Sequence, residues 1–320
     1  MNATGIVIVT WNSAVHVGPA LDAALDRCER VVVVDNASSD RTLDVVHARP
    51  RVRLIANETN RGFAAAVNQG IDALDLDYVL LLNPDAVLLT GLEDLVAACK
   101  EPGVGAAGGL LLDTAGSPQT GFTLRRFPTA ATMIFEALGV NRLWPSNVVN
   151  RRYRCLDVDL GRAGDAEQPP GAFLMIRSDA WRRLGGFNED FHPLWFEDVD
   201  YLKRLSSGGW RTRFVPSARA RHHGGHSVGS LDATRKVVCW YSNLLRYGQR
   251  HFRPTAYRAV CVAVAMGALI RLAAGIARQK SLQPVLGYGT VFQLASRLLF
   301  YRRPHAGGKV TYQSVEASKK

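Results

Sequence analysis

The apolar residues of this chain first fall into short continuous runs rather than alternating ones. GIVIVT (5–10), RVVVVD (30–35), VRLIA (52–56) and DYVLLLN (77–83) are each followed by polar residues. A strand that is apolar throughout is covered on both faces, which predicts a parallel sheet flanked by helices. Between the runs, GFAAAVNQGIDAL (62–74) places Ala64, Val67, Ile71 and Leu74 on one helical face. Ser38 or Ser39, ahead of DRTLDVV (40–46), reads as a helix N-cap. This alternation predicts right-handed crossovers and a ligand crevice at the carboxyl ends of the strands.

Past residue 110 the pattern weakens, and 110–170 reads as a mobile, basic-rich insertion. Regular signals resume with a strand at 171–177, a helix at 178–185, a helix over WFEDVDYLKRL (195–205) and a strand at 210–216. ARARHHGGHS then reads as a trailing loop. TRKVVCWYSNLLRYGQRHF (234–252) is helical in pattern. AVCVAVAMGALI (259–270) is wholly apolar between Arg258 and Arg271. It is short of the roughly 20 residues that cross a hydrocarbon core. Reading on to Ala277 lengthens it, with Arg271 inside.

Charge sharpens that picture. The net charge is +11, yet from Ala233 to Val315 there is no acid against 13 Lys and Arg, so the remainder is near neutral. A cationic tail on a neutral body points to an anionic partner, nucleic acid or membrane. Apolar faces with no acid favour basic amphipathic helices in a membrane interface over packing on the body or on a second subunit. Five scattered cysteines without CxxC spacing argue against a disulfide framework or structural zinc and fit a reducing compartment. The N-terminal run lacks a basic n-region and reads as a buried strand. Neither GxGxxG after the first strand nor GxxxxGK[ST] is present, which excludes an ordinary dinucleotide half and a P-loop.

The crevice rule selects the polar residues just past strands: Thr10 and Asn12, Asp35 and Asn36, Asn83 and Asp85. Asp85, in LLLNPDAVL, offers the carboxylate oxygens that suit Mg²⁺ or Mn²⁺ bridging a diphosphate; the alternative is a chain-reversing Asn-Pro turn. Asp35 could accept the N3–H of a pyrimidine ring, or cap the next helix. His222, His223 and His226 match no familiar zinc spacing, but one imidazole could join Asp85 on a metal. Glu197, Asp198 and Asp200 suit a helix N-terminus, and Asp200 can pair with Arg204. Their place against Trp195 and Phe196 suggests a desolvated carboxylate that accepts a proton near neutral pH.

VIVTWNS, VVVVDNASSD, NRGFAAAVNQGI, LLLNPDAVL, PPGAFLMIRSDAWRRLGGFNEDF and WFEDVDYLKRLSSGGW…HHGGHS, in that order over about 5–228, resemble family 2 glycosyltransferases. The likeness is to the bacterial rhamnosyltransferase-like branch that builds cell-wall linkers and O-antigens. It implies a GT-A fold, a Rossmann-like mostly parallel α/β sheet flanked by helices, with the basic apolar helices as a C-terminal appendage. The expected division is 1–230 catalytic (donor half to about 110, acceptor half 111–230), 231–303 membrane-associating and 304–320 a flexible tail. The implied reaction is inverting transfer of a sugar, L-rhamnose from a dTDP donor by branch, onto a lipid-linked saccharide. Another UDP- or dTDP-sugar, or a catalytically silent membrane scaffold, are the alternatives.

By that resemblance Thr10, Asn12, Asp35, Arg61, Gly62 and Asn83 fall at the nucleotide, and Asp85 and His222 at a Mg²⁺ or Mn²⁺, with His223 the alternative in register. Asp198 falls at the catalytic base, and Gly171, Trp195 and Glu197 at acceptor or sugar contacts. The partners implied are a nucleotide-diphosphate sugar, a lipid-linked saccharide and an anionic membrane surface rather than nucleic acid. Oligomer formation is left open. The implied location is peripheral, on the cytoplasmic face of the plasma membrane.

Overall fold

The computed structural model of the protein describes residues 4–224, 232–279 and 285–300; His226 and the tail from 304 lie outside the described residues. Strands β1 (Thr4–Thr10), β2 (Val31–Asp35), β3 (Val52–Ala56) and β4 (Tyr78–Leu82) pair in parallel in the order β3-β2-β1-β4. Helices α1 (Val17–Leu25), α2 (Thr42–His47) and α3 (Phe63–Leu74) connect them. β1, β2 and β4 are buried on almost every residue, as their unbroken apolar runs require.

The sheet then continues through elements the apolar runs do not mark. β5 (Ala86–Thr90), α4 (Leu92–Lys100), β6 (Val104–Leu112), β7 (Gly164–Ala166), β8 (Phe173–Arg177) and β9 (Arg211–His222) complete nine strands. The order runs on as β4-β8-β6-β9-β5, with β7 on β9. β5, β7 and β8 oppose the other six strands, so the sheet is mostly parallel in direction. β9 is longer than the apolar pattern at 210–216 suggested: ARARH is strand rather than loop, held between β5 and β6.

The segment 110–170 is not a free insertion. Helices α5 (Ala130–Ala137), α6 (Val140–Leu143) and α7 (Val148–Tyr153) fold there, and Thr129 caps α5 by accepting from the Thr132 N–H. Arg125 pairs with Gln168 across the segment, and Leu124 packs on Phe214.

Helices α8 (Ser178–Leu184) and α9 (Glu197–Ser207) precede α10 (Ala233–His251), α11 (Pro254–Gln279) and α12 (Thr290–Phe300). The last three share a core of their own with Met133, Ala137, Phe191 and Val199. α11 begins at Pro254, so its 26 residues exceed the apolar run at 259–270. At 1.5 Å per residue it is about 39 Å long, enough by length and composition to cross a membrane.

Asp200 ties this helical part to the sheet body. Its fully buried carboxylate accepts from Arg204 Nε at 2.8 Å, lies 2.8 Å from His251 Nε2 and 3.3 Å from Arg250. Burial resists ionisation, but the His251 hydrogen bond and Arg204 outweigh it and hold the carboxyl below its ordinary value. A depressed carboxyl stabilises the fold above its unfolded pKa, and that contribution disappears as pH falls through the folded value. Asp200→Asn should lower the unfolding free energy at pH 7 by about 3–5 kcal/mol, as for one partner lost from a buried ion pair. The deficit measured by urea titration should shrink below pH 4.

Candidate functional site

The carboxyl ends of β1 and β4 open into a cavity of about 640 Å³. It brings together Thr10, Asn83, Asp85, Gly171, Trp195, Glu197, Asp198 and His222, from segments far apart in the chain. Asn12, Asp35, Arg61 and Gly62 stand outside its lining, though Asn36 is part of it.

Asp35 is engaged locally. Its carboxylate accepts from the Thr10 hydroxyl at 2.7 Å and from the Ser38 N–H and hydroxyl at 2.9 and 2.6 Å. Ser38 and Ser39 are therefore not caps of α2. Asp40 serves that turn by accepting from the Thr42 N–H, while the Ser38 hydroxyl accepts from Asn12 N–H. Asn12 Oδ1 accepts from Ser39 N–H, so these residues stitch the two strand-end loops together. Arg61 is exposed. Gly62, with φ 85°, has no room for a Cβ, which would meet His192 at 2.7 Å.

At one end of the cavity the turn after β4 delivers Asp85, and the end of β9 delivers His222. Both are nearly fully buried, with His222 Nε2 3.4 Å from Asp85 Oδ1. Gln119 grips His222 twice: its Nε2 donates to the His222 carbonyl at 2.7 Å, and its Oε1 lies 3.1 Å from Nδ1. An amide oxygen only accepts, so Nδ1 carries a proton and Nε2 is the ring nitrogen turned toward the carboxylate. That buried nitrogen has no hydrogen-bond partner. A carboxylate and an imidazole nitrogen facing each other call for a cation or proton between them. Phe122 stacks on the same ring at 5.3 Å and fixes its plane. His223 is exposed against His16, so His222 is the imidazole that faces Asp85. Burial raises the Asp85 pKa, but the neighbouring His222 outweighs it and the carboxyl lies below its usual value. Among the described residues no cluster of three or more His, Cys, Asp or Glu could hold a metal, so Asp85 and His222 would leave most of a coordination shell to other oxygens.

At the other end stands the start of α9. Trp195 and Phe196 both have left-handed φ, 76° and 75°. Each such bulky residue costs on the order of 1–3 kcal/mol. The Phe196 ring packs on Trp240 and Tyr247, which holds the turn from the helical side. The turn points Glu197 and Asp198 into the cavity. The Asp198 carboxylate accepts from the Gly171 N–H at 2.9 Å and its own neighbour Val199 N–H at 2.8 Å. A Cβ on Gly171 would come within 3.2 Å of Asp198, so glycine lets the donor approach.

The three adjacent acids thus diverge. Asp200 is an ion-pair anchor. Asp198 is raised above its ordinary pKa by burial, partly offset by the two backbone donors and Arg125. Glu197 is raised further, by burial and by the charge of Asp198, and its Oε2 has no partner. Burial thus favours the protonated form of Glu197 more strongly than that of Asp198, whose carboxylate keeps two backbone donors. Glu197→Gln keeps the shape of the side chain and should change turnover by less than about threefold, whereas Glu197→Ala should open a hole; steady-state kinetics of the pair checks this.

Sequence reasoning missed much of the wall. Gln119, Phe122, Arg125, Glu136, Tyr153 and Gln168 all come from 110–170, and all but Gln119 line the cavity. Arg125 stacks near Phe122 and Tyr153. The basic LRRF stretch was the one available signal there; nothing in the sequence marks Gln119.

Residues 5–155 match the family description "Glycosyl transferase family 2". The chain is 31% identical over 267 residues to N-acetylglucosaminyl-diphospho-decaprenol L-rhamnosyltransferase of Mycobacterium tuberculosis, covering 77% of this chain and 84% of that one. It is 30% identical over 189 residues to rhamnosyltransferase WbbL of Escherichia coli, covering 57% and 65%. Its fold is similar to that of mannosyltransferase PcManGT from Pyrobaculum calidifontis, solved with GDP-Man and Mn²⁺, at TM-score 0.51 and 18% identity over 93% of this chain and 85% of that one.

Proposed function

The chain belongs to glycosyl transferase family 2, and we propose that it moves L-rhamnose from dTDP-rhamnose to a lipid-linked saccharide in cell-wall or surface polysaccharide synthesis, with inversion. The single observation that carries the chemistry is the cavity itself, with the Asp85–His222 pair at one end and Asp198 at the other. The two rhamnosyltransferase relatives support the sugar, and the first supports an acceptor on a polyprenyl diphosphate.

Asp85 and the unpartnered His222 Nε2 fit a divalent cation, Mg²⁺ or Mn²⁺. When bound, that ion supplies Lewis acidity to the leaving diphosphate. Thr10 and Asn83 line the same cavity and would face the nucleotide; Asp35 braces Thr10, the Arg61 N–H and the Gly62 carbonyl hold Asn36 in that lining, and Asn12 ties in the Ser38 loop. Asp198, aimed by the Gly171 N–H, removes the proton from the acceptor hydroxyl as that oxygen attacks the anomeric carbon. Glu197 and Trp195, both in the cavity lining, bound the sugar. The catalytic body ends near residue 230, and the helices of 231–303 hold the enzyme to the cytoplasmic leaflet.

A thermal-shift panel of nucleotide-diphosphate sugars with and without Mn²⁺ tests the donor. dTDP-rhamnose with Mn²⁺ should stabilise by about 2.7 kcal/mol at a hundredfold excess over its Kd. Stabilisation by another sugar nucleotide alone would overturn the rhamnose assignment.

A further inference from the structure

From Ala259 on, the exposed residues of α11 recur as Ala259, Val262, Met266, Leu269, Ile270, Ala273, Ala274 and Ala277. They form one apolar helical stripe about 27 Å long, with the exposed Arg258 at its amino end. Met266 and Ile270 are 52% and 57% exposed. The opposite face, with Tyr257, Val260, Cys261, Val264 and Ala268, is buried in the helical core.

The charge inside this apolar helix explains how it sits. Arg271 turns inward: its guanidinium donates to the carbonyls of Ala137, Glu136 and Gly267. A cation there neutralises the C-terminal end of α5. Gly267 allows the approach, since a Cβ would meet the Ala137 carbonyl oxygen at 2.0 Å. α5 supplies Thr132, Met133 and Glu136 to the cavity wall. α11 is therefore clamped to a wall of the cavity. A spanning α11 would carry that wall and Glu136 into hydrocarbon, where there is no water to solvate polar groups.

Beyond the same clamp the chain presents a second apolar surface. A Cβ added at Gly139, just ahead of α6, would lie 3.6 Å from the Arg271 guanidinium. Just after it come Leu143, Trp144 and Val148, exposed by 86%, 60% and 76%. Trp144 and Val148 border a hollow of about 540 Å³ with Arg126, Arg151 and Arg152 on its sides. Arg151 pairs with Asp157, and Arg126 lies 3.6 Å from Glu167. Trp and aliphatic side chains amid arginines are the chemistry of a headgroup interface.

We propose that the outer stripe of α11, together with the Trp144 patch and its arginines, is a docking surface for an anionic lipid bilayer, on which α11 lies flat instead of crossing. This rests on the reading that the acceptor is lipid-linked and deepens it: docking by this face sets α5, one wall of the cavity, against the leaflet that carries the acceptor. The span from Ala233 to Val315 has no acid, and exposed cations in it such as Arg253, Arg258 and Arg297 supply complementary charge, while Arg250 and Arg271 are engaged within the fold.

The test is flotation of the full chain with vesicles containing anionic lipid or zwitterionic lipid alone. The chain should float with anionic vesicles. Met266→Glu/Ile270→Glu, on the exposed face, should reduce the bound fraction at least tenfold with an unchanged melting profile. Arg151→Ser/Arg152→Ser should weaken the preference for anionic vesicles. Variants that float like the unaltered chain, or an unaltered chain that ignores vesicles, would overturn the surface. So would a dimer in gel filtration that Met266→Glu/Ile270→Glu converts to monomer without changing flotation, since a second copy then covers the stripe. Failure of dTDP-rhamnose to bind, with flotation intact, would sink the sugar assignment and leave the surface standing.

Discussion

Asp198→Asn is expected to lower kcat by about 10³-fold, within the range for loss of a positioned general base. Asn keeps the size of the side chain and still accepts from the Gly171 N–H, so the cavity keeps its shape. What disappears is the proton acceptor. Donor affinity should stay within about threefold, because the Asp85 end of the cavity is untouched. The pH profile gives an independent reading. A base works when deprotonated, so kcat/KM should rise with pH through the Asp198 value and then level off. Burial places that value above the ordinary carboxyl range, so the acid limb should lie above 3.8. A variant with the turnover of the unaltered chain would remove Asp198 from the chemistry.

Asp85→Ala should cost about 10²–10³-fold in kcat/KM, the range seen when one preorganised electrostatic contact to a developing charge is lost. Its signature differs from that of Asp198. Donor binding should weaken and lose its response to added Mn²⁺, because His222 Nε2 alone faces the leaving group. Calorimetry of nucleotide diphosphate with and without Mn²⁺ separates the two variants. Gln119→Leu should show a milder form, with cation affinity down about 10-fold, as for other residues that orient a ligating imidazole. If Asp85→Ala retained full Mn²⁺-dependent binding, the cation would sit elsewhere.

The first half of the sheet was legible because its strands are buried on both faces and so are written as unbroken apolar runs. β6 was not, since VGAAGGLLL reads as a weak strand by residue preference. The glycines there answer a packing demand: a Cβ on Gly108 would meet Pro169, and one on Gly109 would meet Phe173, both at 2.2 Å. Asp85 could be picked out because it follows a strand, where a crevice was foreseeable; Asp198 stood out as an acid against aromatics and His222 as one of three clustered histidines, and the resemblance gave both their roles. Their neighbours Gln119 and Arg125 lie in irregular chain, where no periodicity assigns a direction to a side chain. Asp35 shows the reverse limit. Its strand-end position was plain, but its buried bonds to Thr10 and Ser38 depend on how two loops meet. Arg271 read as an interruption of an apolar helix; only the fold reveals that it caps α5.

Glu197 and Asp198 stand side by side; burial raises both, Glu197 the further, and Asp198 is the one steadied by backbone donors. One base activating one hydroxyl transfers the sugar in a single displacement, and a single displacement inverts the anomeric centre. The anomeric configuration of the first-formed product, read by NMR against that of the donor, is therefore the decisive measurement. Inversion is the predicted result. Retention would demand a covalent sugar–carboxylate intermediate and would contradict Asp198 as a base acting alone.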